Sequence, residues 1–447
     1  MDQKPCSARL AEFTSKRNKG QCHWGLKEIY GHVVEFCGDQ HASRFLQKKL
    51  ADANSEEKDQ VFREVQPNIE PLSKDIYGNY VIQMLLVHGS QMQKRAIASI
   101  LKGKMVEWSF NKYACRVVQK ALEQILVEQR AELTQELEPN ILPLIRDEFG
   151  NHVVQQVIQY VPNQHFGFIP RAVRSMVRQL SEERHACRVI QRLLEYAKAE
   201  DKEAILAEIH DAVQHLVSNE YGNYVAQHVV RYGKPADREK IISFVLGRLV
   251  ALSKHKYASN VVEKCIEFGA AEDRVKIAQA FLKHGSDGTN AVPALYKDNF
   301  GNYVIQKLLK KFEDGPELDG LIAAVESISD LKKHLDAVRD PERQGNTAAA
   351  DRVLEAIAKA RGGSKKAAKN GHRTTTTPTF RNSRAAQVDT SASPTPVLTM
   401  EPNSPQSSNP PSTNASATGE SAEEEVEQDK NGRFASGNVA PQVLEEP

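Results

Sequence analysis

Apolar residues along the first three-quarters of the chain fall into a six-residue frame that keeps returning. The frame holds a small or turn-forming residue, two polar positions, two mostly apolar positions and then Gln or Glu. It reads ASRFLQ at 42–47, GNYVIQ at 78–83, ACRVVQ at 114–119 and GNHVVQ at 150–155. It continues as ACRVIQ at 186–191, GNYVAQ at 222–227, ASNVVE at 258–263 and GNYVIQ at 301–306. The first seven copies are each 36 residues apart, and the eighth follows after 43. A fixed period of this length marks a stack of repeated units, each unable to bury its apolar side alone.

Within one period the apolar spacing is helical. Val61, Phe62, Val65 and Ile69 predict a helix over 58–72, the frame itself predicts one over 79–87 after Gly78 as a helix-start break, and Ile97, Ile100 and Leu101 predict a third over 91–101. No β-hairpin signal intervenes. The pattern therefore predicts an all-α fold, an α-solenoid of eight three-helix units with one long concave face. A degraded frame at 31–35, inside 24–37, predicts an N-terminal cap, and 317–328 and 348–360 predict C-terminal capping helices. The organisation expected is a lead over 1–23, a repeat domain over 24–360 and a tail over 361–447. That tail is rich in Ser, Thr and Pro and carries an acidic patch at 419–429, so it is expected to be disordered.

The polar positions of the frame carry the candidate chemistry. In GNYVIQ at 78–83, Asn79 and Gln83 are four residues apart and Tyr80 and Gln83 three, which places all three on one helix face. Val81 and Ile82 point away into the core. The outer two can hydrogen-bond a base edge, and the middle one is mostly a flat side chain on which a base can stack. The trio varies between copies (Asn-Tyr/His-Gln, Cys-Arg-Gln, Ser-Arg-Gln and Ser-Asn-Glu) while the pair stays chemically alike, apolar in every copy. Glu263, where the other copies have Gln, offers only acceptors and suits the adjacent N1 and N2 donors of guanine.

Composition adds little for or against. The chain has 447 residues, a formal net charge of +1 and 40% hydrophobic residues. Charge alone does not announce a nucleic-acid partner, although a locally basic surface is compatible with that total. Six cysteines form no CxxC pair, and the histidines are scattered through the period, so no metal site or cofactor is expected. No signal-peptide pattern and no membrane-length apolar run is present. A reducing, cytoplasmic setting is the expectation. Paired carboxylates, a nucleophile elbow, a P-loop and HExxH are all lacking, and a non-enzyme is expected.

The eight in-phase trios resemble those of the Pumilio (PUF) family of RNA-binding repeat proteins, over about 24–360. The resemblance implies a right-handed superhelix whose repeats run antiparallel to single-stranded RNA, so that the eighth reads the first base. It also implies that Asn with Gln reads uracil, Cys or Ser with Arg and Gln reads adenine, and Ser-Asn-Glu reads guanine. Carried onto this chain, Asn302 and Gln306 read U with Tyr303 stacking, Ser259 and Glu263 read G beside Asn260, and Asn223 and Gln227 read U with Tyr224. Cys187 and Gln191 read A with Arg188, Asn151 and Gln155 read U with His152, and Cys115 and Gln119 read A with Arg116. Asn79 and Gln83 read U with Tyr80, and Ser43 and Gln47 read A with Arg44. The implied site is 5′-UGUAUAUA-3′, its fifth base the least constrained. The resemblance further implies binding to mRNA 3′ untranslated regions as a monomer, with repression of translation or mRNA decay through repressor or deadenylase-complex proteins. The seven extra residues near 284–293 form a loop, in the family a place where protein partners can dock. Two other readings remain at this point. A protein-binding solenoid would lack base-reading trios, and a nucleolar ribosome-assembly relative would have degraded ones.

Overall fold

The structure is a computed structural model that describes residues 6–20, 23–286, 288–312 and 315–326. The predicted helix at 348–360 and the tail at 361–447 lie outside them. The described residues are helical and contain no strand. Eight units follow one another, and each central helix carries the six-residue frame: Gln40–Asp52, Gly78–His88, Ala114–Gln124, Gly150–Tyr160, Ala186–Tyr196, Gly222–Tyr232, Ala258–Phe268 and Gly301–Lys311. Each packs against the central helix of the next unit, so the eight form one continuous row. A short helix precedes each central helix and another helix follows it, as with Ile69–Ser73 and Gln91–Leu101 around Gly78–His88. The predicted three-helix α-solenoid is therefore the fold.

The apolar pair makes the core. Val81 and Ile82, Val117 and Val118, Val153 and Val154, and Val261 and Val262 are fully buried. At about 25 cal/mol per Å² of apolar surface, each pair contributes several kcal/mol of gross burial to the contact between units. The far ends of several central helices are closed by basic residues of the following helix, whose positive charge suits a helix C-terminus. Arg130 donates to Ile125 O at 2.8 Å and Glu123 O at 2.9 Å, Lys202 to Glu195 O at 2.7 Å, Arg238 to Val230 O at 2.7 Å and Arg274 to Gly269 O at 2.8 Å.

Three expectations are corrected. The helix over 58–72 is two: Ser55–Val65 gives way to a 3-10 turn, Gln66–Asn68, and then Ile69–Ser73 begins the next unit. Pro67, which lacks an amide hydrogen, sits in that turn and ends the α-helical hydrogen bonding. The degraded frame at 31–35 enters the short helix of the first unit, Val33–Cys37, rather than a separate capping repeat. The cap ahead of it is Ala8–Asn18, whose Phe13 packs against Trp24, Phe36 and Phe45. Third, the second helix starts at Gly78 itself, one residue earlier than expected, so the glycine is its first residue. The turn before that helix is made by Asp75, whose Oδ1 accepts from the backbone N–H groups of Tyr77 at 2.8 Å and Gly78 at 2.7 Å. Asp147, Asn219 and Asp298 do the same in the fourth, sixth and eighth units.

A two-unit rhythm overlies the 36-residue one. Gly31, Gly103 and Ser175 have left-handed backbone (φ 82°, 79° and 61°) at the entries to the first, third and fifth units. Their amides are held by Glu64, Glu136 and Glu208, each of which also accepts from the amide two residues further on.

Candidate nucleic-acid interface

On a helix, successive residues are turned by about 100°. In the second unit this puts Tyr80 at the middle of the outward face, Gln83 on its flank, and Asn79 where that face meets the core. Tyr80 is 52% exposed and Asn79 only 2%. The same order holds throughout. Arg44, Arg116, Arg188, Asn260 and Tyr303 are exposed like Tyr80, and His152 and Tyr224 are half-buried. All eight trio-leading residues (Ser43, Asn79, Cys115, Asn151, Cys187, Asn223, Ser259 and Asn302) are buried. The last trio residues, Gln47, Gln83, Gln119, Gln155, Gln191, Gln227 and Glu263, are half-buried, and Gln306 is buried. The expectation that the whole trio faces out is therefore corrected: the stacking residue does, and the leading residue sinks into the first turn.

What the buried residue does depends on its type. Asn79 Nδ2 donates to the carbonyls of Asp75 at 2.9 Å and Ile76 at 3.1 Å. Two carbonyls in reach require the amide nitrogen on that side, so Oδ1 must face the other way. There it accepts from Gln83 Nε2 at 2.9 Å. The glutamine is thereby oriented, with its Oε1 left as an acceptor for a ligand. Asn151 bridges Asp147 O and Glu148 O at 2.7 and 3.0 Å and accepts from Gln155 at 2.9 Å. Asn223 bridges Asn219 O and Glu220 O at 2.8 Å each and accepts from Gln227 at 2.8 Å. Asn302 bridges Asp298 O and Asn299 O at 2.8 and 2.9 Å and accepts from Gln306 at 3.0 Å.

The odd units lack this lock. Ser43, Cys115, Cys187 and Ser259 each donate to the carbonyl three residues back, at 3.3, 3.4, 3.6 and 3.5 Å. Gln119 Nε2 is buried without a hydrogen-bond partner in the free protein, a cost that an incoming acceptor would remove. Burial pushes the Cys187 thiol up to about 11 and the Cys115 thiol in the same direction. Both are neutral thiols near pH 7, small polar groups rather than nucleophiles.

Electrostatics distinguish two further positions. Burial raises the Glu263 carboxyl above the usual range, opposed by Lys307, whose Nζ lies 3.9 Å from its Oε2. Burial lowers the His152 imidazole, and the flanking stacking residues Arg116 and Arg188 lower it further. A row of cations beside the trios went unread in the sequence. The residue after the last trio position is Lys48, Lys120, Arg192 and Lys264 in the odd units, but Met84, Gln156, His228 and Lys307 in the even ones. The 36-residue spacing that located the trios would have found it. Among the described residues no cluster of His, Cys, Asp and Glu could hold a metal ion, and no helix is long and apolar enough to cross a membrane.

A model of the Pumilio-family RNA binding repeat matches eight segments: 32–66, 68–101, 104–138, 140–169, 177–210, 213–246, 248–281 and 297–325. These boundaries coincide with the eight units to within a few residues. Among relatives, "Pumilio homolog 1" of Xenopus laevis is 41% identical over 134 residues, which is 30% of this chain and 11% of that protein. The "mRNA-binding protein puf3" of Schizosaccharomyces pombe is 45% identical over 84 residues, 19% of this chain and 12% of that protein. These matches thus span a small part of the relatives' own length. Among solved structures, a Puf3 RNA binding domain bound to a Cox17 RNA 3′ UTR recognition sequence aligns with TM-score 0.70 and 36% identity. It covers 78% of this chain and 99% of that one. PUF-8 in complex with PBE-RNA aligns with TM-score 0.65 and 31% identity, covering 78% and 99%.

Proposed function

Since this chain belongs to the Pumilio family of RNA-binding repeats, we propose that it binds single-stranded mRNA sequence-specifically through the row of central helices, one base per unit. The family is one of RNA-binding repeats and not of enzymes. The observation that carries the reading is the set of eight trios on one continuous row of helices, each with a stacking side chain beside a hydrogen-bonding pair. Similar domains in solved structures are bound to RNA 3′ UTR recognition sequences.

The chemistry supports a definite target. In the four Asn units the locked Gln offers one acceptor and one remaining N–H, which suits the N3–H and a carbonyl of uracil. In Ser or Cys units the small leading residue leaves room for a purine, and a Gln that the leading side chain does not hold can turn to the alternating donor and acceptor of adenine. Glu263, as a carboxylate, takes the two adjacent donors of guanine. The site is 5′-UGUAUAUA-3′, read from the eighth unit to the first. Each stacked base contributes about 1–3 kcal/mol. Bound in a 3′ untranslated region in the cytoplasm, as a monomer, the protein represses translation or promotes mRNA decay by recruiting repressor or deadenylase-complex proteins. A reporter mRNA carrying UGUAUAUA in its 3′ untranslated region tests this last step. Its output falls when the protein is present and recovers when UGU is changed to ACA; equal output from both reporters contradicts it.

A further inference from the structure

The residue before each trio does not read as part of it, yet it follows the trio without exception. Gly78, Gly150, Gly222 and Gly301 precede Asn, whereas Ala42, Ala114, Ala186 and Ala258 precede Ser or Cys. We propose that these four glycines are positioning residues for the Asn sites, so that base selection in each unit is set by four positions and not three. The proposal rests on the base-reading function above.

Backbone conformation does not demand glycine here, because none of the four has positive φ. Space does. A Cβ on Gly78 would lie 2.8 Å from the Leu72 carbonyl oxygen, and one on Gly150 2.9 Å from that of Leu144. One on Gly222 would lie 3.0 Å from Leu216 Cα, and one on Gly301 3.0 Å from Leu295 O. These are backbone atoms, which cannot rotate aside. The first turn of the central helix is thus closed onto the short helix before it.

The odd units show that the neighbour is not the reason. Ala186 and Ala258 follow Leu180 and Leu252 at the same six-residue distance, and both carry the Cβ that the even units exclude. Close-packed atoms do not share that volume, so the proposal places the first turn of these units further from the short helix. It requires that helix entries alternate between a closed and an open placement, the placement going with the residue type that leads the trio.

Asparagine needs the closed placement for a geometric reason. Its Nδ2 bridges two carbonyls of the segment that joins the short helix to the central one, Asp75 and Ile76 in the second unit. A Cβ on Gly78 pushes the start of the central helix away from Leu72 and so disturbs that segment. The bridge loosens, Oδ1 turns, and Gln83 turns with it because its Nε2 is held there. Ser and Cys, which donate to a single carbonyl and hold no Gln through their side chain, tolerate the open placement.

The sixth unit provides the test, with the full chain and RNA oligomers carrying each of the four bases at the third position of UGUAUAUA. Gly222→Ala is expected to lower the preference for U at that base about tenfold, as for one misplaced hydrogen bond, with selection at the first base unchanged. The reverse construction in the fifth unit introduces no clash. Ala186→Gly with Cys187→Asn is expected to select U at the fourth base about tenfold better than Cys187→Asn alone. Full U selection by a folded Gly222→Ala, equal loss at the first and third bases, or no advantage of the double over the single change in the fifth unit would overturn the proposal. If the unaltered protein selects no base anywhere, the base-reading function itself fails, which is a different result.

Discussion

The even and odd units are built on one frame and solve the same problem in two ways. In the even units a buried Asn spends both amide hydrogens on backbone carbonyls and holds its Gln in one orientation before any ligand arrives. In the odd units a hydroxyl or thiol makes one long bond to the preceding turn, and the reading side chain is not held by it. The odd units instead each place a cation next to the reader, where only Lys307 does so among the even ones. The difference teaches that preorganisation and adaptability sit side by side in this row. On the proposed reading, sites for the smaller base are fixed in advance and sites for purines are completed by the ligand.

The largest effect expected is on stability. His228, beside the reader of an even unit, is pushed down to about 4 by burial and then by Arg192 and Arg231. Glu195 Oε1 is 3.5 Å away, but that carboxylate is already engaged by Arg192 at 2.5 Å and does not reverse the shift. Above pH 6.5 the imidazole is neutral in both folded and unfolded chains and contributes nothing. As pH falls, the unfolded chain takes the proton first, so stability drops between 6.5 and about 4. The loss is on the order of 3 kcal/mol. Denaturant titrations across that range should show His228→Gln with a flatter profile than the natural chain; parallel profiles would mean the group titrates normally.

Next comes the lock. Asn302→Ala removes the bridge to two carbonyls and the anchor of Gln306, and binding of UGUAUAUA should weaken by about 2 kcal/mol, roughly 30-fold. Ser43→Ala in the first unit takes away one weak bond, so less than about threefold is expected. Comparable losses from the two changes would remove the distinction between the unit types.

Glu263 tests an intermediate case. Its carboxyl is raised by burial, so the ionised form burdens the free fold at neutral pH. Glu263→Gln should reduce the preference for G at the second base about tenfold and, in the same protein, raise the melting temperature at pH 7. That gain should vanish in acid, where the carboxyl is protonated in both states. A melting temperature that falls at pH 7 would show the charge to be stabilising through Lys307.

Much of this was legible in the sequence, because the frame fixes both what is buried and what is displayed. The period located all eight central helices, and the apolar pairs such as Val153 and Val154 are the core they were expected to be. The break at Pro67 was legible too, but the apolar spacing of Val61, Val65 and Ile69 runs straight through it. Two features were not readable from helical periodicity. The burial of Asn79 depends on its place in the first turn, next to carbonyls that only the folded connection brings near. The fit of Gly78 against Leu72 is a contact between two helices, and one helix's periodicity says nothing about its distance from another.

The central claim is that each unit reads one base. Its most direct test is the affinity of the purified chain, at one fixed salt concentration, for UGUAUAUA and for the same oligomer with UGU changed to ACA. Salt is held because phosphate contacts make affinity depend on it, with a slope of about −0.7 per contact for single strands. Three substituted bases, each costing about 1–3 kcal/mol, should weaken binding by roughly two decades or more. Equal affinity for the two oligomers would contradict the account and leave the row of trios as a surface that binds by shape or charge alone.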